Sequence, residues 1–117
     1  MLTYLAHMAG AALLVNSVPH SVKGLCGECF PSPFSKPPGV GPSSPRANIL
    51  WGGINFLAGC GLLFGIGQFQ FGLNLDTALV IAAGWGCGFA LARHFGKQFA
   101  GTETVVEWQV TERDTTD

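Results

Sequence analysis

The stretch NILWGGINFLAGCGLLFGIGQFQF, residues 48–71, decides the fold. It contains no Lys, Arg, Asp or Glu, and about 20 apolar residues suffice for a helix to cross the hydrocarbon core of a bilayer. In lipid a backbone must satisfy its own hydrogen bonds, so such a segment reads as a helix and not as a lone strand. Two more stretches read the same way, about 1–22 (MLTYLAHMAGAALLVNSVPHSV) and about 77–98 (TALVIAAGWGCGFALARHFGKQ). The expected fold is an all-α integral membrane protein with three transmembrane helices. A proline-rich loop over 24–47 joins the first two, and an acidic tail, 101–117, follows the third.

Composition agrees with that expectation. The 117-residue chain is 48% hydrophobic and 11% charged, against roughly 25% charged residues in soluble domains. Its 17 glycines suit helices that pack closely in a membrane. The N-terminus has no Lys or Arg before its apolar run and no clear small-x-small cleavage site, so it reads as a retained helix and not as a signal peptide. Nothing resembles the clustered basic face of a nucleic-acid-binding protein.

The charges give an orientation. Glu103, Glu107, Glu112, Asp114 and Asp117 against Arg113 leave the tail at −4, so the residues before it carry +3 of the overall −1. Lys23, Lys36 and Arg46 lie in the first connection, and Arg93, Lys97 and Arg113 come late in or after the third helix. Three spans put all six on one side, which the positive-inside rule makes cytoplasmic. The N-terminus is then outside and the C-terminus inside, as a multi-pass protein of the bacterial inner membrane if the source is bacterial. Ser43-Ser44-Pro45 reads as a serine N-cap with proline at the first helical position, so the second helix can begin at Pro45. Asp76 or Thr77 is expected to cap the third. In the tail, Val106, Trp108 and Val110 alternate with polar residues. That pattern suits a flexible acidic segment or a short strand that docks on a partner.

Several residues could carry chemistry. Asn48, Gly52, Asn55 and Gly59 follow steps of four, three and four, which places two amides and two glycines on one stripe. Gly84 and Gly88 form a GxxxG in the third helix. These six residues are a candidate helix interface, either within the chain or between copies. His20 and His94 both fall at cytoplasmic helix ends, where two axial haem ligands would face each other. His7 points away from His20 and cannot share its site. Cys26 and Cys29 form a CxxC that could bind a metal or work as a redox pair, but a closed zinc site needs four ligands and no second CxxC exists. Cys60 and Cys87 read as small apolar packers. No catalytic nucleophile–base spacing appears, and no glycine-rich phosphate loop.

The 30–47 segment FPSPFSKPPGVGPSSPRA holds six of the seven prolines. Proline restricts φ and lowers the entropy lost on ordering. Phe30, Phe34, Lys36 and Arg46 make it a candidate ligand or partner surface, read as an ordered extended cap over the helix ends.

The strings NSVPH (16–20), GLCG (24–27), FPSPF (30–34), PPGVGPSSP (37–45) and NILWG (48–52) together resemble a group of small bacterial integral membrane proteins. The likeness covers residues 16–52, under a third of the chain, and the CxxC is not part of the shared pattern. It implies a small bacterial membrane protein, and no activity, cofactor or catalytic residue comes with it.

The function expected first is a non-enzymatic packing or accessory subunit, in contact with membrane lipid, that forms a homo-oligomer or joins a larger membrane complex. A homo-oligomeric channel or transporter with Asn16 or Asn55 on its pathway is the alternative, and a haem- or thiol-based redox protein the third. Apart from haem in that third case, no cofactor is expected.

Overall fold

The computed structural model describes the backbone of residues 1–116 and the side chains through Ala100. It is all-helical: α1 is Leu2–Leu25, α2 is Pro45–Gly65 and α3 is Leu75–Thr116. Two segments, Pro45–Gly65 and Leu75–Ala100, are long and apolar enough to cross a membrane. At 1.5 Å per residue they measure about 31 and 39 Å, against a hydrocarbon core of about 30 Å.

The helix ends have local causes. At the end of α1, Gly27 takes a left-handed φ of 71°. The Gly27 and Glu28 amides then turn back to donate to the Gly24 and Lys23 carbonyls at 3.1 and 2.9 Å, which closes the helix. The Ser44 hydroxyl accepts from the Ala47 amide at 3.1 Å, and Pro45 stands at the first helical position, as the serine–proline signature predicts. Several boundaries differ from expectation: α1 runs to Leu25, three residues past Val22, and α3 begins at Leu75, two before Thr77. α2 stops at Gly65, six residues before Phe71, because Gly67 (φ 66°) and Gln68 (φ 46°) turn left-handed. The Phe69 amide then folds back to the Leu63 carbonyl at 2.8 Å. The cap of α3 is neither Asp76 nor Thr77: the Asn74 carboxamide oxygen accepts from the Thr77 amide at 2.8 Å. Beyond Ala100, α3 continues as helix to Thr116, where the Val106–Val110 alternation had suggested a strand or a flexible segment. The side-chain readings of the tail lie outside the described residues.

α2 and α3 both pack on α1 and, among the described residues, not on each other. His7, Ser17 and His20 of α1 are all buried, which turns its polar groups inward. The α1–α2 seam is tight because glycine lets the backbones meet. A Cβ on Gly59 would lie 2.8 Å from the Gly10 carbonyl oxygen, and one on Gly10 would lie 2.9 Å from that of Gly59. The α1–α3 contact is looser: Cβ atoms on Gly84 and Gly88 would sit 3.6 and 3.8 Å from Val15.

Candidate functional site

Polar side chains of α1 bond to its neighbours at three levels. Midway, the Asn16 amide donates to the Asn55 oxygen at 3.1 Å, and the Asn55 amide donates to the Trp51 carbonyl of its own helix at 2.8 Å. Asn55 is buried, so the two carboxamides form a closed clasp across the seam.

The second level lies under the proline-rich loop. The Asn48 amide nitrogen faces the carbonyls of Phe30, Ser43 and Ser44 at 2.8, 3.3 and 3.1 Å. That fixes the carboxamide's orientation, so its oxygen must be the atom 2.8 Å from His20 Nδ1, and His20 donates from Nδ1. The imidazole is boxed by the rings of Phe30, Trp51 and Phe95, all edge-on to it.

Over this level the loop is knotted. Phe30 and Ser43 exchange two backbone hydrogen bonds of 3.1 Å. The Ser43 hydroxyl lies 2.5 Å from that of Ser32 and 3.0 Å from that of Ser35, and all three serines are buried. Phe30 is inserted against Phe95 of α3, with ring centroids 4.4 Å apart, and stacks on Phe99 at 5.9 Å. His94 donates from Nε2 to the Gly39 carbonyl at 2.9 Å. The loop is therefore pinned to all three helices.

Of the four loop residues singled out in the sequence, Phe30 is a buried anchor, while Phe34, Lys36 and Arg46 are exposed. Phe34 meets the edge of Trp51 at 5.6 Å. His20 and His94 reach the same end of the bundle, and Phe95 stands edge-on to both rings. Each histidine already has one nitrogen engaged, His20 with Asn48 and His94 with Gly39. Cys26 and Cys29 are free thiols at the surface. Beside them the Lys23 ammonium bridges to the Glu28 carboxylate at 2.5 Å, and that hydrogen bond raises the lysine pKa. Cys87 does more than pack, since its thiol donates to the Ala12 carbonyl at 3.4 Å.

The interface residues all face α1. Asn48, Gly52, Asn55 and Gly59, with Leu63, are the buried residues of α2, and Gly84 and Gly88 approach Val15. An open apolar groove of about 610 Å³ remains along α1 and α3, with Ala11, Val15, Gly84, Trp85, Gly88 and Ala92 in its wall.

The third level escaped the sequence reading. His7 is 1% exposed. Its Nδ1 lies 2.6 Å from Asp76 Oδ2 in the first turn of α3, and its Nε2 lies 2.6 Å from the Ile66 carbonyl at the end of α2. The Phe69 ring closes edge-on over the imidazole. Asp76 Oδ1 is buried and, among the described residues, has no hydrogen-bond partner. The signal that could have exposed this site is that Asp76 is the sole charged residue between Arg46 and Arg93. A polar pocket of about 390 Å³ adjoins it, lined by Tyr4, Gln68, Gln70, Asn74 and Asp76.

In comparison with known proteins, no family model, no curated protein and no solved structure matches the chain.

Proposed function

We propose that the chain is a three-span membrane protein, N-terminus outside and C-terminus cytoplasmic, that serves as a small non-enzymatic accessory subunit. It binds another membrane helix, from a second copy or from a larger complex. The observation that carries this reading is the exposure of α3. Only 6% of its membrane-length segment is buried within the chain, and it borders an open apolar groove walled partly by Gly84, Gly88 and Ala92. Small residues at such spacing let a second helix approach closely. The inward-turned polar groups of α1 support its role as the third span, because polar side chains in membrane helices face the bundle interior.

The test is native mass in mild detergent. The wild-type protein is expected as a homo-oligomer or with co-purified larger subunits, and Gly88→Leu, which fills the groove, as the free monomer. A wild-type monomer would reject the reading. Orientation is tested separately by thiol labelling. Cys26 and Cys29 should react with a membrane-impermeant reagent only once the cytoplasmic side is opened, and labelling of intact cells would reverse the topology.

A homo-oligomeric channel or transporter is the second reading. The ionisable His7–Asp76 couple favours it, since such groups within membrane helices mark ion and proton routes. The Asn16–Asn55 clasp, closed within one chain, weighs against a pathway along Asn55.

A further inference from the structure

The geometry points to a proton-binding site at the N-terminal end of α1, formed by His7 and Asp76, whose proton holds the start of α3 to α1. The argument is an account of donors and acceptors. The Ile66 carbonyl can only accept, so the ring nitrogen 2.6 Å from it, Nε2, carries hydrogen. The other nitrogen, Nδ1, then lies 2.6 Å from Asp76 Oδ2. Without a proton between them, two lone pairs would face each other at that distance. A neutral imidazole and a carboxylate together hold one proton too few, so the couple binds one more, shared along the Nδ1–Oδ2 line.

The surroundings make the proton exchangeable. The pocket beside Asp76 is lined by neutral polar groups, Gln68, Gln70 and Asn74, and by the Tyr4 phenol. It gives water a route to the carboxylate, and the released proton passes to that water. Ionisable neighbours are few. α1 offers Tyr4 and the exposed terminal amine of Met1, the 66–74 segment offers none, and α3 offers Asp76 alone. The remaining cations of the described residues, from Lys23 through Lys97, belong to the other end of the bundle.

Losing the proton has a structural consequence. Because α2 and α3 do not pack on each other among the described residues, the 66–74 connection and the first turn of α3 rest on α1 at this point. Asp76 Oδ1 has no protein donor among the described residues, so the deprotonated carboxylate is repelled by Nδ1 and turns to the water of the pocket instead of to α1. The couple is thus a latch that closes on proton uptake. It works in either membrane orientation and does not depend on the accessory-subunit reading.

The test uses the full chain in detergent micelles with ¹⁵N-labelled histidine, following ring nitrogens by long-range ¹⁵N–¹H correlation through a pH titration. In the wild-type protein a proton is expected on or shared by His7 Nδ1, and wherever the titration removes it the amide protection at Thr77 and Ala78 is lost with it. In Asp76→Asn the new carboxamide can donate to Nδ1 directly. At a pH where the wild type shows the shared proton, that variant should show Nε2–H with a bare Nδ1, a loss of one ring proton per chain, and no opening coupled to its removal. His94 serves as the reference and should be the same in both. Identical His7 spectra in the two proteins overturn the inference. So does a wild-type Nδ1 that is bare at every pH, a result that holds even if the variant does not fold.

Discussion

Asn16 and Asn55 bond side chain to side chain across the α1–α2 seam at 3.1 Å, although 39 residues separate them in sequence. The clasp fixes the register of two helices whose glycines already allow backbone contact. Asn55→Leu removes it and leaves the Asn16 amide without its partner. Interhelical side-chain bonds in membranes contribute about 0.6 kcal/mol on average and up to about 1.7. The variant should therefore lose about 1–2 kcal/mol of stability, read from reversible unfolding in mixed micelles. Because Asn55 faces α1 of its own chain, native mass should stay unchanged. A shift in oligomeric state with stability intact would mean that the stripe pairs copies instead.

Glycines in the same helix should behave oppositely according to what lies over them. A Cβ on Gly59 would meet the Gly10 carbonyl oxygen at 2.8 Å, backbone that cannot yield, while one on Gly61 would meet nothing within 4 Å. Overpacking of this kind costs about 1–3 kcal/mol, so Gly59→Ala should be destabilised by that order. Gly61→Ala should be neutral or slightly stabilised, since alanine is the better helix former. Equal effects at the two positions would show that the close approach of α1 and α2 does not exist in the folded protein.

The α2 stripe was legible because a helix turns 100° per residue, so steps of four, three and four put Asn48, Gly52, Asn55 and Gly59 on one face wherever their partner lies. The Ser44–Pro45 start was legible for a similarly local reason. What the sequence could not reveal was that partner. α1 lies in the middle because its neighbours receive its polar groups, and the His7–Asp76 contact joins positions 69 residues apart through no periodic signal. The end of α2 was misplaced because apolar residues continue past Gly65, while the break depends on the backbone angles of Gly67 and Gln68. The ordering of the proline-rich loop could be argued from its prolines and aromatics. The serine knot beneath it could not, because hydroxyl contacts leave no mark in composition.

Phe30 should decide whether that loop stays seated. Its ring is 4% exposed and packs against His20, Phe95 and Phe99. Phe34, four residues on in the same loop, is 59% exposed and touches only the edge of Trp51 among the described rings. Truncating a buried phenylalanine costs about 3–5 kcal/mol, more than the two backbone bonds with Ser43 can offset at about 1 kcal/mol each. Phe30→Ala should therefore free the loop while α2, capped independently by Ser44, keeps its start. The amides of Gly39 and Ser43, which donate to the Ser32 and Phe30 carbonyls, should exchange hydrogen at least tenfold faster in the variant, and a protease should cut between Ser32 and Ser43. Phe34→Ala should leave both readouts near wild type. If the two variants exchange alike, the loop is held by the serine knot alone and the Phe30 anchor is not its seat.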